Sequence, residues 1–584
     1  MKKILLLFAA LLTLNVTAYA QNPNGIPCFQ NGDWLYAINP DANHEVTVVN
    51  YTGEEGCDAT ELTIPSYVTY KGSRYLVTIL GEYLFSRYDI EGNDVYTHWW
   101  KHDTYTKLEK VAIPNTVTEI GRNVFSGCTG LASVTIPNSV TEIGSDAFSG
   151  CTGLASVTIP NSVTEIGSGA FYGCTGLASV TIPNSVTEIG GLAFADCTGL
   201  TSVTIPNSVT EIGGSAFADC TGLTSVTIPN SVTEIRYNAF GGCTGLTSVT
   251  IPSSVTKIAN NPFPKCTSLQ EIVVEDGNSN YTVVDGILYN SERTQLISYP
   301  AGKEGAFDIP NSVTEIEFYA FEGCSGLTSV TIPNSVTEIG YNAFQGCTGL
   351  TSVTIPNSVT EIQFKAFEGC SGLTSVTIPN SVTRIWNYVF SGCTGLTTIY
   401  ALPTTPPLCG YNVFKNVPET AVVYIPKGSF KGYFVADGWD HFTDFREMGA
   451  LDITLSESSI SIEEGETATL TATVTKDDDV TVKSETWSTS NPEVATVADG
   501  VVVAVGEGTA TITYTVVDGY GVPHAESCDV KVSSVSGIKN INANESDAPA
   551  EFFNLNGVRI NAEALTPGLY IKRQGGKSAK VLVK

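Results

Sequence analysis

A block of 23 residues recurs along most of this chain. It reads L-x-S-V-T-I-P-N-S-V-T-E-I-x-x-x-A-F-x-x-C-T-G, and its cysteine falls at 128, 151, 174, 197, 220, 243 and 266, then at 324, 347, 370 and 393. Self-similarity at so short a period restricts the chain to an array of stacked supersecondary units. Within a unit, Leu131, Val134 and Ile136 alternate with polar residues, the pattern of a half-buried strand. Pro137 ends that strand, because it has no N–H for a ladder. Val140 and Ile143 form a second short inward run, Ala147 and Phe148 close the coil, and Thr152-Gly153 bends the chain between Cys151 and Leu154. One such coil cannot bury its own Leu, Val, Ile, Phe and Cys, whereas stacked coils share one continuous core. At a strand spacing of about 4.8 Å the array makes roughly a dozen rungs about 60 Å long. The 58-residue gap from Cys266 to Cys324 is two units plus a 12-residue insert, which falls within 274–305 and reads as a β-hairpin.

A solenoid needs capped ends. Residues 21–60 are poor in the repeat and read as an N-terminal cap; Ile64-Pro65, Ile79, Gly81 and Phe85 then echo the unit loosely. After Ile399 the unit decays through Pro403, Pro406 and Pro407, with last echoes at Phe414 and Ile425-Pro426. The I-P-x-S-V-T-x-I-x-x-x-A-F-x-x-C-x-x-L unit resembles the BspA-like leucine-rich repeats of bacterial surface proteins, over about residues 61–445. Pro403, Phe414, Tyr424-Ile425-Pro426-Lys427-Gly428 and Ala436-Asp437-Gly438-Trp439 resemble that family's terminal unit.

From 451 to 534 the repeat stops, and short β-branched stretches separated by turns predict a β-sandwich. The run from Trp487 through Asn491-Pro492 to Val497, and that from Gly500 to Ala510, resemble bacterial group-2 immunoglobulin-like domains. A polar linker at 535–550 precedes a small β-rich segment at 551–584. Its Phe553-Asn554-Leu555-Asn556-Gly557 and Pro567-Gly568-Leu569-Tyr570 resemble the C-terminal sorting domain of type IX secretion cargo. The expected fold class is thus mainly β: a leucine-rich-repeat solenoid, a sandwich and a small terminal β domain. At the other end, Lys2 and Lys3, an apolar run over 4–14 and Ala18-Tyr19-Ala20 read as a signal peptide over 1–20. No other apolar run reaches 18 residues, so no transmembrane span is expected.

The net charge of −29 repels nucleic acid and anionic membranes, and no basic run relieves it. The five His lie at 44, 98, 102, 441 and 524, with no H-E-x-x-H and no G-x-S-x-G. Gly576-Lys577-Ser578 lacks the upstream glycine of a phosphate loop. No enzyme and no cofactor is expected. The repeat cysteines, whose Cβ vectors run parallel, read as buried thiols rather than disulfides or metal ligands. Cys28 and Cys57 flank the cap and are candidates for one disulfide. A glutamate ladder (Glu119, Glu142 and onward to Glu361, interrupted by Lys257 and Arg384) reads as solvated side chains, with weak cation binding as the alternative. The asparagines after each strand, such as Asn138, are expected to make turn hydrogen bonds. The cluster from Tyr96 through His98, Trp99 and Trp100 to His102 reads as a loop on the cap or as a sugar or metal site.

The informative positions are the three before Ala-Phe, which vary while the rest of the unit stays fixed. Early units carry Gly144-Ser145-Asp146; later ones carry Tyr237, Phe318, Tyr319, Tyr341, Phe364, Trp386 and Tyr388. Such swings predict exposure, and a row of exposed aromatics is a candidate partner-binding strip. The BspA-like resemblance implies an exported adhesin-type protein that contacts host matrix or plasma proteins such as fibronectin and fibrinogen, or other bacteria. The alternative is a spacer of the cell envelope.

Overall fold

The computed structural model describes residues 20–21, 27–39, 44–51, 58–85, 104–478, 480–519, 522–534, 550–554, 558–561, 568–574 and 577–583. These form two compact units, 1–447 and 448–584.

The first unit is a parallel β-solenoid of about 15 coils. Each coil has three faces. One is the S-V-T strand, which pairs in register with its equivalent 23 residues away: Ser133, Val134 and Thr135 face Ser156, Val157 and Thr158. Ser and Thr point to solvent and Val points inward. The second face is the two-residue E-I strand, stacked Glu142 on Glu165 and Ile143 on Ile166. The third is the A-F-x-x-C segment, a run of turns that still forms a parallel ladder. Asn123, Phe125 and Gly127 donate their N–H groups to Ser145, Ala147 and Ser149 of the next coil at 3.0, 2.7 and 2.6 Å. This turn face tolerates its tight path through left-handed residues at two fixed places. The position just before Ala-Phe holds Asp146, Gly169, Leu192, Asn238, Tyr319, Asn342, Lys365 or Tyr388, all with φ between +55° and +63°. The position before Cys holds Gly127, Gly150 and Gly173, with Asp196 and Asp219 in their place further on.

The core is a column of identical side chains. Phe148, Phe171, Phe194 and Phe217 stack at 5.3–5.4 Å with rings within 7° of parallel. The cysteines run beside them, fully buried. The thiols donate to the phenylalanine carbonyl of the preceding coil, as Cys151 does to Phe125 and Cys174 to Phe148, both at 3.1 Å; Cys324, after the insert, donates to Tyr299 O at 3.8 Å. The thiol is therefore a filler that also satisfies a buried carbonyl. Burial pushes the thiols of Cys128, Cys174, Cys220 and Cys266 up to about 12, so they stay protonated and unreactive. The eleven repeat cysteines are accordingly expected to resist N-ethylmaleimide in the native chain and to label only after denaturation, read by intact mass. A bridge between Cys28 and Cys57 would appear in the same experiment as two thiols that label only after reduction. Cys28 is buried in the cap, and Cys57 lies outside the described residues.

The asparagines expected to make turn hydrogen bonds lie at the surface: Asn138, Asn161, Asn184 and Asn207 all face solvent. The inter-coil bond at this corner is made by the next residue. Ser139, Ser185 and Ser208 donate their hydroxyls to Val117, Val163 and Val186 of the preceding coil, each at 2.5 Å.

The insert at 274–305 contains the expected hairpin, Tyr281–Val284 against Ile287–Asn290. It is a structural splice rather than a surface decoration. Gln295–Ser298 pairs antiparallel with the hairpin and parallel with Glu315–Ile316, so it takes the place of an E-I strand. Leu288 and Ile297 face the first hydrophobic column, while Ile287, Tyr289 and Leu296 face the second. On the turn face, by contrast, the chain skips the insert. Asn261 N–H bonds Phe318 O at 3.4 Å and Lys265 N–H bonds Glu322 O at 2.9 Å. Asn261, buried, rivets the seam: its Nδ2 donates to Tyr319 O at 2.8 Å and its Oδ1 accepts from Phe263 N–H at 2.9 Å. The stack is wedged open on two faces and closed on the third.

The caps finish the column with aromatics. Phe85 stacks on Phe125 at 5.2 Å and meets Trp34, on the cap strand Trp34–Ile38, edge-on. At the other end Trp439 sits fully buried against Phe414 at 5.3 Å, its indole N–H donating to Pro407 O at 3.1 Å.

The second unit begins with the antiparallel pair Leu451–Leu455 and Ala472–Lys476, followed by two larger sheets. Val482–Thr489, Gly508–Asp518, Pro523–Ser533 and Ser459–Glu463 form one; Thr467–Thr469, Val501–Ala504 and Ala495–Ala498 form the other. Ala495, Val502, Ile512, Cys528 and Val530 fill the space between them. Glu551–Phe553, Arg559–Ile560, Gly568–Gln574 and Lys577–Val583 make a separate antiparallel sheet.

Candidate binding face

The variable residues before Ala-Phe all lie where the E-I face turns into the turn face. Coil stacking brings residues 23 or 24 apart in sequence within ring contact. Phe318 and Tyr341 stack at 4.7 Å, Phe364 meets Tyr341 edge-on at 6.4 Å and Tyr388 at 6.1 Å, and Tyr388 meets Tyr411 at 5.7 Å. The result is one aromatic strip through five consecutive coils. Tyr411, 66% exposed, is the most open ring of the strip and was not among the residues the sequence singled out. Its signal was present: Gly410-Tyr411-Asn412-Val413-Phe414 is a decayed copy of Gly340-Tyr341-Asn342-Ala343-Phe344.

Full exposure was the expectation along the whole strip. Tyr237, Tyr341 and Trp386 are exposed, but Phe318, Tyr319, Phe364 and Tyr388 are half-buried; Phe318 leans on Tyr341, and Phe364 on Tyr341 and Tyr388. Tyr319 and Tyr388 also occupy the left-handed position, with φ of +63° and +60°. Two glycines make room for rings: a Cβ on Gly214 would meet Tyr237 Cε1 at 2.8 Å, and one on Gly340 would meet Phe318 Cδ1 at 2.6 Å. Trp386 stands one column nearer the E-I face, where its indole N–H donates to Glu361 Oε2 at 2.9 Å and Arg384 lies 4.9 Å from its ring. Lys365 Nζ lies 5.4 Å from the Phe364 ring and 5.7 Å from that of Tyr388.

The glutamate ladder flanks this strip. Over the first coils it is stacked carboxylates; at Arg236 it acquires bases. Arg236 pairs with Glu211 and Glu234, and Lys257 bonds Glu234 at 2.9 Å. Beside the strip, Glu315 accepts from Gln295 at 2.8 Å, while Glu317 and Glu338 have no basic partner among the described residues. Burial, with the charges of Glu315 and Glu338 adding to it, pushes the Glu317 carboxyl up to about 7. The folded state thus holds this proton more tightly than the unfolded chain. Its stabilising contribution is complete below pH 4.5 and is lost as pH rises through 7. Glu317→Gln is therefore expected to raise the melting temperature by about 1–2 °C at pH 8, solvent screening allowed for, and to leave it unchanged at pH 5. Thermal melts at the two pH values check this.

Among the described residues no cluster of three or more His, Cys, Asp or Glu converges as a metal site, and no helix is long and apolar enough to cross a membrane. The His98–His102 cluster lies outside the described residues.

A stack of 23-residue coils with in-register S-V-T and E-I strands and a buried phenylalanine column defines a leucine-rich-repeat solenoid. The model of the BspA type leucine rich repeat region matches in six copies, over residues 103–222, 192–304 and 301–421. The chain belongs to that family. A second model, the group-2 bacterial Ig-like domain, matches residues 451–525. Among solved structures, a leucine rich cell surface protein of Faecalibacterium prausnitzii is 32% identical, covering 72% of this chain and 95% of its own, with a TM-score of 0.49. A leucine-rich repeat protein of Bacteroides ovatus is 27% identical, covering 72% and 99%, with a TM-score of 0.41. The pneumococcal vaccine antigen PcpA is 22% identical, covering 72% and 99%, with a TM-score of 0.46. No curated protein matches the chain.

Proposed function

We propose that this chain is an exported, non-catalytic surface protein whose solenoid binds another protein, of a host or of a second bacterium, through the aromatic strip. The observation that carries the reading is the strip itself. Phe318, Tyr341, Phe364, Tyr388 and Tyr411 join into one row with Tyr341 and Tyr411 open to solvent. Rigid aromatics at low entropy cost are the usual energetic centre of a protein interface. Membership of a repeat family found on bacterial surfaces supports the location, as does the leader-like sequence at 1–20. The solenoid, about residues 61–445, presents the strip; the group-2 Ig-like region and the terminal sheet follow it. The sheet from Glu551 to Val583 fits a sorting domain of type IX cargo. Cells expressing a chain truncated after residue 550 would then retain it instead of displaying it. Release of the truncated chain at the normal level would remove the sorting role.

The binding reading is tested with the full chain and with the triple variant Tyr341→Ala, Trp386→Ala, Tyr411→Ala, on immobilised fibronectin, fibrinogen and bacterial cells. Because all three rings are exposed, the melting temperature should move by less than about 2 °C, while binding to the cognate surface falls at least about tenfold. Equal binding by both chains would refute the strip as the contact face.

A further inference from the structure

The strip belongs to a chain that is short of base, and the few bases near it show what its surface accepts. Each lies on a ring, a carboxylate or both. Lys365 sits between Phe364 and Tyr388, Arg384 covers Trp386, and Arg236 bridges Glu211 and Glu234. Two coils of the same face lack such a base. There the stacked pair Phe318–Tyr341 adjoins Glu317 and Glu338, whose carboxylates have no basic partner among the described residues. Tyr341 is 43% exposed and Glu338 faces solvent. A ring face beside a carboxylate is the chemistry that holds a guanidinium or ammonium group. The coil repeat places equivalent positions about 5 Å apart, against about 6.6 Å between every second residue of an extended peptide, so two successive basic side chains reach two adjacent coils by leaning less than about 2 Å.

We infer that the face formed by Phe318, Tyr341, Glu317 and Glu338 binds lysine or arginine side chains of an extended basic segment of a partner protein. This rests on the reading of the strip as a binding face and adds the chemistry of what it takes. The net charge of −29 favours such a partner at long range; the rings and carboxylates select it at contact.

The test uses the full chain and three soluble twelve-residue peptides of alternating Arg-Ser, Glu-Ser and Asn-Ser, with binding followed by fluorescence anisotropy at pH 8. The arginine peptide should bind, with affinity falling as salt rises. Tyr341→Ala, and separately the double variant Glu317→Gln, Glu338→Gln, should each weaken it about tenfold. The control Glu142→Gln, Glu165→Gln removes the same charge from a remote part of the ladder and should change affinity less than twofold. Arginine-peptide binding that drops equally in the control would show only general attraction to an acidic chain and would overturn the inference. So would equal binding of the asparagine peptide. The two readings fail separately. If the triple aromatic variant loses its protein partner while that complex is insensitive to salt and to the Glu317 and Glu338 changes, the strip binds but not through bases.

Discussion

Phe344→Ala should be among the most damaging single changes in the second hydrophobic column, costing about 3–5 kcal/mol. The ring is fully buried, 4.6 Å from Phe321 and 5.2 Å from Phe367, and parallel to both within 12°. Removing it deletes two stacking contacts and leaves a cavity that cannot collapse, because the neighbouring coils are pinned by backbone bonds. Phe321 N–H donates to Ala343 O at 2.7 Å and Phe344 N–H to Ala366 O at 2.8 Å. In a one-dimensional stack the loss also uncouples the coils on either side. The expected readout is a fall of about 10 °C in the melting transition of the second column. Amide protection should be lost over about 299–442 and kept over 104–272, across the seam at Asn261. An equal loss of protection in both columns would mean that the insert does not separate them.

The repeat made most of this fold legible, because each coil's inward residues recur with one spacing and one chemistry. The register of Val134 on Val157 and the burial of Phe148 and Cys151 follow directly from that. What was illegible depends on contacts between residues far apart in the chain. Asn261 looks like one more loop asparagine; only its bond to Tyr319, 58 residues on, makes it the rivet of the seam. The hairpin was visible as alternating β-branched residues, but its use as a splice was not, since Leu288 and Tyr289 give no sign that they face different columns. The candidate strip was half legible. Variation at the three positions before Ala-Phe was read as a sign of exposure alone. The third position is in fact held left-handed, and its Asp146, Gly169, Asn238 and Asn342 carry the residue preference of that conformation.

Two glycines three residues apart should respond very differently to the same substitution. Gly176 occupies the bend of C-T-G-L, where a Cβ would stand 2.5 Å from Thr152 O and 3.4 Å from Leu154 O of the preceding coil. Both are backbone atoms held by the ladder, so the clash is relieved only by moving one coil off another. Gly176→Ala should therefore cost about 2–3 kcal/mol, the upper part of the range for overpacking. Gly173 has φ of +67°, but a Cβ there would find nothing closer than Gly150 Cα at 3.8 Å. Its alanine variant carries only the strain of the left-handed backbone, about 1 kcal/mol. Gly173→Asp should be milder still, since Asp196 and Asp219 already fill that position with φ of +58° and +56°. Chemical denaturation of the three variants should rank Gly176→Ala as the least stable, then Gly173→Ala, then Gly173→Asp. The reverse order for the two alanine variants would mean that backbone conformation, not the approach of adjacent coils, sets the glycine requirement of the 23-residue unit.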